Sequence, residues 1–378
     1  MKRIAIIGGG AAGMVCAALL ARAGKPVTLF ERGDRLGRKL SASGNGQGNI
    51  TNTNMGAEHY FSDDPAKVAR VLARYSSEDT VRFFEDMGGL YLPDERGRVY
   101  PAGRQASAVT DLLRRELSRA GAQVRLGAKV EEITCGKSFG LVWKDGCEQF
   151  DAVVLAAGGK AAAHFGTDGS AYALARKLGH TVTECRPALV QLKTDPAAVR
   201  GLKGIRVDGG LRVLRGGRKI YECRGDVLFT ESGISGDATF RASSYAEAGD
   251  TVEIDLLPAV SPARLFAALS KGEGAERLLC VVNNGLGRVL ERRADGSAEG
   301  LVALIKAFPL KITGTLGFDY AQVTRGGIPL RETDENLMSL KHENLYFAGE
   351  ILNVDGECGG YNLHWAFSSA RVVAEALL

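Results

Sequence analysis

Four glycines in six residues, Gly8-Gly9-Gly10-Ala11-Ala12-Gly13, stand between the apolar stretch Arg3–Ile7 and the helical pattern Ala11–Ala23. That juxtaposition leaves few folds open. Gly8 permits a tight turn, and Gly10 lets bare backbone approach a pyrophosphate. Gly13 allows close packing of helix on strand, while the helix N-terminus turns its amides and positive dipole end to the phosphates. Gly24 ends the helix, Lys25-Pro26 turns the chain, and Val27–Phe30 reads as a second strand, completing a βαβ unit. Glu31 follows at the end of that strand. An acid about twenty residues after the glycines is placed to accept both ribose hydroxyls of an adenosine.

The rest of the chain carries this unit as part of a larger α/β protein. At 378 residues the length suggests about two domains. Gly is enriched, at 49 residues, with no collagen-like period, so many positions are expected to take positive φ or to lie against a ligand. The net charge is only +4 and its basic residues are dispersed, so no nucleic-acid partner is expected. Cys16, Cys135, Cys147, Cys185, Cys223, Cys280 and Cys358 form no C-x-x-C pair. They read as reduced thiols of a cytoplasmic protein, without a metal site. The basic pair Lys2-Arg3 before an apolar run resembles a leader, but its glycines and the strand that follows favour the βαβ reading. No segment is long and apolar enough to suggest a membrane span.

Helices are expected over Pro65–Tyr75, Glu78–Met87 and Gln105–Ala120. Short segments at Val124–Leu126, Val130–Thr134, Phe139–Trp143 and Glu148–Phe150 suggest an antiparallel meander. Asp151–Ala156 is a fully apolar strand ending in Ala157-Gly158-Gly159, at the sheet edge where doubly wound folds bind ligands. Strands at Val207–Leu214, Lys219–Cys223, Val227–Thr230 and Thr251–Asp255 surround a helical stretch from Pro262 to Phe308. They suggest a β-rich insertion over 190–310, interrupting a cofactor domain made of 1–189 and 311–378. Leu345–Ala348 returns as a strand before Gly349 and Glu350, whose carboxylate can hold a ribityl hydroxyl. Gly359-Gly360-Tyr361-Asn362 opens the closing helix, Leu363–Leu378, with amides available to a flavin's pyrimidine oxygens.

These motifs, together with Gly37-Arg38-Lys39-Leu40, Ser43 to Asn52, Gly225 to Gly236 and Val323-Thr324-Arg325-Gly326-Gly327, resemble the YhiN/BaiN-like family of FAD-dependent oxidoreductases over nearly the whole chain. The resemblance implies a Rossmann-like FAD-binding domain interrupted by a β-barrel-like insert. It adds Ala12, Arg32, Ser43, Gly44, Asn49, Thr51 and Val130 to the expected cofactor contacts, with Arg38 and Lys39 neutralising phosphate. Where relatives carry Arg-Cys this chain has Gln47-Gly48, so no role of that thiol transfers. The activity expected is reduction of an activated double bond in a small organic substrate, with NAD(P)H binding transiently as donor. An amine or amino-ketone oxidase and a non-redox FAD-binding protein are the alternatives. Tyr361 and His364 are the candidate proton donors, and the oligomeric state is not legible.

Overall fold

The computed structural model describes residues 1–378, apart from the side chain of Ala275. Two compact units emerge: Met1–Pro187 with Val323–Leu378, and Ala188–Gln322.

The first unit is built on a five-stranded parallel sheet in the order Leu345–Phe347, Ala152–Leu155, Ile4–Ile7, Val27–Phe30, Gln123–Arg125. Ile4, Ala5 and Ile6 are wholly buried, as are Ala152 through Leu155. A strand covered on both faces reads as continuous apolar residues, which explains why alternation is missing from these segments. The first helix, Ala11–Arg22, packs on this sheet, and the closing helix, Tyr361–Leu377, packs against the first helix. Val124–Leu126, expected in the meander, instead supplies the outer parallel strand: Thr28 pairs with Gln123 and Phe30 with Arg125. Helix Ala106–Arg119 is the crossover that returns the chain in the parallel sense. The meander itself has three strands, Val130–Cys135, Phe139–Trp143 and Gly146–Phe150. Helix Ser77–Glu85 begins with a full capping box between Ser76 and Asp79.

The second unit is a closed six-stranded antiparallel barrel. Its strands, in spatial order, are Leu192–Thr194, Gly233–Ser235, Arg218–Phe229, Arg206–Arg215, Thr251–Asp255 and Phe308–Thr315. Two features differ from the sequence reading. The segments Lys219–Cys223 and Val227–Thr230 are one strand, because Arg224, Gly225 and Asp226 keep their pairing to Gly210, Gly209 and Asp208. The unit also runs on to Gln322, because Phe308–Thr315 closes the barrel against both Thr251–Asp255 and Leu192–Thr194. The helical stretch breaks into Pro262–Leu269, Asn284–Arg293 and Ala298–Lys306, whose Leu265, Leu290 and Ile305 join the barrel's core. No helix among the described residues is long and apolar enough to cross a membrane.

Candidate dinucleotide site

The glycine loop fits its expected form for steric reasons that can be read atom by atom. Gly8 has φ +112°, and a Cβ there would lie 2.5 Å from the Ala156 carbonyl oxygen of the neighbouring strand. A Cβ on Gly13 would lie 1.9 Å from the Gly8 oxygen. Gly10 differs: a Cβ there would meet no heavy atom within 4 Å. The protein therefore does not need glycine at position 10 for its own packing. The open backbone at Gly10 leaves room for a group approaching from outside, beside a helix N-terminus that no side chain caps.

Glu31 closes this end of the site. Its Oε2 accepts a hydrogen bond from the Gly9 amide at 2.8 Å and its Oε1 from the Gly33 amide at 2.6 Å. The carboxylate is thus fixed against the glycine loop before it meets any ribose. Ala128 donates its amide to the Glu31 carbonyl at 2.9 Å, which brings the half-turn before Val130 to the same place. Val130 is buried at the start of its strand. Ala12 is buried in the first helix, and its Cβ lies 2.9 Å from where a Cβ on Gly349 would be. The turn after strand Leu345–Phe347 therefore approaches the first helix through the bare backbone of Gly349. Arg32 is ion-paired with Asp168 at 2.6 Å.

A second group of residues lies around Glu350. Its Oε2 meets Lys39 Nζ at 2.7 Å, and its Oε1 accepts from the Thr324 amide at 2.9 Å. Thr324, wholly buried, accepts through its hydroxyl from the amides of Lys160 and Ala161 at 2.7 and 2.9 Å. This pins the loop that leaves Ala157 and Gly158. Thr324 was not assigned a role from sequence, although it lies within a motif that stood out. Its only local signal is a Thr in the three-residue strand Val323–Arg325 before two glycines, a pattern too common to carry a role. Arg38 donates to the His164 carbonyl oxygen at 3.0 Å, so its guanidinium is tied to a neighbouring loop and only Lys39 of the basic pair reaches Glu350. Arg325 and Asp355 form a forked ion pair, at 3.1 and 2.8 Å, which sequence also did not single out. Burial pushes the Asp355 carboxyl above its ordinary range, against the pull of the Arg325 guanidinium.

The third group surrounds the N-terminus of the closing helix. Gly360 has φ +104°, and a Cβ there would lie 2.4 Å from the Thr51 carbonyl oxygen and 2.8 Å from Asn49 Oδ1. Asn49 is 8% exposed and its Oδ1 has no hydrogen-bond partner. A buried amide oxygen left unpaired costs about 1–3 kcal/mol, which is tolerable where a ligand donor satisfies it. Ser43 turns its hydroxyl to the Leu40 carbonyl at 2.7 Å, and Gly44 with Asn45 takes left-handed backbone, kinking the loop. Asn362 grips both the amide and the carbonyl of Gly356, at 2.8 and 2.7 Å, which locks the entry into the helix.

The two candidate proton donors differ sharply in setting. Tyr361 stacks on His59 with ring centroids 4.5 Å apart and donates its hydroxyl to the Asn54 carbonyl at 3.1 Å. His364 is 0% exposed. Its Nδ1 accepts from the hydroxyls of Thr51 and Thr80 at 2.9 and 3.2 Å, and its Nε2 donates to the Tyr75 carbonyl at 3.2 Å. Burial lowers its pKa to about 4. It is a neutral, fully satisfied core histidine, and the sequence could not show this because its partners are hundreds of residues away. Thr51 is committed to the same contact, leaving its backbone as the part that faces Gly360.

These groups fit an adenine dinucleotide carrying a flavin. The open Gly10 backbone and Glu31 suit the pyrophosphate and ribose, and the unpartnered Asn49 and bare Gly360 suit a polar ring.

Comparison with known proteins agrees in kind. A family model described as HI0933-like protein Rossmann domain matches residues 2–376. The chain is 35% identical to a 3-dehydro-bile acid delta(4,6)-reductase of Clostridium scindens, covering 100% of this chain and 99% of that protein. It is 32% identical to a Haemophilus influenzae protein named ribosomal RNA dihydrouridine synthase, covering 98% and 96%. Among solved structures, 3-ketosteroid delta1-dehydrogenase from Sterolibacterium denitrificans aligns over 100% of this chain and 99% of that one, with a TM-score of 0.55 at 14% identity. The 3-ketosteroid-delta4-(5alpha)-dehydrogenase of Rhodococcus jostii gives 0.52 at 15%, covering 99% and 96%. At such identities the likeness is one of fold. The ribosomal RNA name removes support for the expectation that nucleic acid plays no part.

Proposed function

The chain belongs to the HI0933-like family and is an FAD-dependent oxidoreductase, and from that premise we propose that it reduces a carbon–carbon double bond conjugated to a carbonyl group, drawing on NAD(P)H. The observation that carries this reading is chemical. Saturation of a conjugated double bond is the change denoted both by a delta(4,6)-reductase and by a dihydrouridine synthase. FAD, when bound, supplies the two-electron chemistry, and the protein supplies binding, orientation and protons.

The division of labour among the residues follows. Glu31 and the Gly8–Gly13 loop hold the adenosine and pyrophosphate, with Ala12, Arg32 and Val130 lining that end. Lys39, Glu350 and the loop at Ala157-Gly158 hold the middle. Ser43, Gly44, Asn49, Thr51, Gly349, Gly360 and Asn362 shape the ring's surroundings. Reduction of a conjugated bond adds a proton as well as a hydride, and Tyr361 is the donor of choice. Its phenol, at the N-terminus of the closing helix, carries a proton that rests on the Asn54 carbonyl, whereas His364 is wholly buried and held neutral in the core.

Anaerobic stopped-flow mixing tests the reading. NADH or NADPH should bleach the visible flavin band, and an unsaturated cyclic ketone or uridine-containing ribosomal RNA should restore it without oxygen. The RNA arm separates a free small molecule from a nucleobase in a polymer. Rapid bleaching by an amine, with neither nicotinamide effective, would establish an oxidase instead.

A further inference from the structure

The turn Pro101–Arg104 lies against the loop that leads to Asn49. Arg104 takes left-handed backbone, φ +47°, with its amide donating to the Pro101 carbonyl at 2.8 Å. Its guanidinium is stacked on the ring of Tyr100, 4.3 Å from the centroid, and donates through Nη1 to Gln47 Oε1 at 3.1 Å. Tyr100 is buried and touches the kinked loop: a Cβ on Gly44 would lie 3.6 Å from its Cε1. Arg98 lies over the same ring at 5.9 Å, but its charge is met by Asp94 at 2.7 Å. Arg104 has no carboxylate partner among the described residues. An exposed guanidinium usually wanders; this one is held in place by a ring and an amide, with charge and N–H groups to spare.

Two neighbours deepen the positive field. Helix Ala106–Arg119 starts two residues later, and no side chain caps its N-terminus. Gln105, at the capping position, spends its side-chain amide on Ser107 Oγ at 2.9 Å. Gly48, with φ +78°, backs onto this turn so closely that a Cβ would lie 2.8 Å from Ala106 Cα. The Gln47-Gly48 pair is therefore fitted to the Arg104 turn: one residue holds the guanidinium, and the other lets helix and loop meet.

We propose that Arg104, held by Tyr100 and Gln47 beside the start of helix Ala106–Arg119, is a binding subsite for an anionic group of a ligand. A carboxylate on the unsaturated substrate and the 2′-phosphate of NADPH share the required chemistry: planar or tetrahedral oxygens that accept from a guanidinium. Naming these two ligands rests on the reductase reading; the subsite itself does not.

Three measurements on FAD-loaded protein, wild type against Arg104→Gln and Arg104→Lys, decide it. Inorganic phosphate titrated into the oxidised protein should perturb the flavin spectrum, with Arg104→Gln binding it at least about tenfold more weakly. The ratio of KM for 4-oxocyclohex-2-ene-1-carboxylate to that for its amide should rise by a similar factor in Arg104→Gln if the anion belongs to the substrate. The ratio of Kd for NADPH to that for NADH should rise instead if it belongs to the donor. Arg104→Lys should fall between, keeping the charge but losing the stacked fork. If Arg104→Gln matches wild type in phosphate binding and in both ratios, the subsite is refuted. If wild type turns over neither ketone and accepts neither nicotinamide, the reductase reading fails and the phosphate titration alone judges Arg104.

Discussion

Replacing Gly10 with Ala should separate what the fold needs from what the dinucleotide needs. Gly10 has φ −84° and ψ −166°, an extended conformation open to alanine, and its Cβ would touch nothing within 4 Å. Removing glycine's freedom in the unfolded chain stabilises by about 0.4–1 kcal/mol. Gly10 is also the N-cap of the first helix, where alanine is the poorer residue by about 0.5–1 kcal/mol. The two nearly cancel, so the apoprotein should unfold within about 1 kcal/mol of wild type. FAD binding should not escape so lightly. If the pyrophosphate crosses this face as proposed, a methyl group here pushes it off the helix amides, and losing one charge-assisted hydrogen bond costs about 1.5–3 kcal/mol. That is roughly a ten- to hundredfold rise in Kd. Gly13→Ala should do the reverse, since its Cβ meets the Gly8 oxygen at 1.9 Å and must force the turn apart. Overpacking of this kind costs about 1–3 kcal/mol or more before any ligand is added. Denaturant unfolding of the apoprotein and quenching of FAD fluorescence on binding give the two quantities. A Gly10→Ala protein that binds FAD as tightly as wild type would show that the pyrophosphate does not cross this residue.

The remaining predictions concern other parts of the site. Glu31→Ala should weaken FAD binding by about tenfold or more and should also lower apoprotein stability, because the carboxylate ties Gly9 to Gly33; unchanged FAD titration curves would refute the ribose assignment. Thr324→Val leaves the Lys160 and Ala161 amides without their acceptor and should cost about 2–4 kcal/mol in denaturant unfolding; a loss below about 0.5 kcal/mol would mean the loop is held by other contacts. His364 has a folded pKa of about 4 against an ordinary 6.5, so the unfolded chain binds the extra proton. Its contribution is complete above about pH 6.5 and is lost as pH falls towards 4, amounting to roughly 3 kcal/mol. His364→Gln should flatten the fall of Tm over that window, and an unchanged slope would place the titration elsewhere.

The sequence by itself determined the parts of this protein that are local. The Gly8–Gly13 loop, its flanking strand and helix, and Glu31 are legible because neighbours in the chain are neighbours in space. Gly8 and Gly13 answer to contacts within one βαβ unit or with the strand beside it, while Gly10 faces open space. Gly359-Gly360 at a helix entrance and the apolar Ala152–Leu155 strand are legible for the same reason. Only the tertiary structure decided the rest, because the partners lie far apart in the chain. His364 and Tyr361 are near neighbours on one helix, and no local rule tells them apart. Thr51, Thr80 and Tyr75 enclose the first, while the second turns its hydroxyl to Asn54. Val124–Leu126 carries the same alternation whether it joins a hairpin or the edge of a parallel sheet; the crossover helix before it made the choice. Lys39 and Glu350 are separated by 311 positions and Lys160 and Thr324 by 164. Long-range hydrogen bonds of this kind leave no periodicity for a sequence reading to detect, because side-chain geometry exists only once the backbone has closed around it.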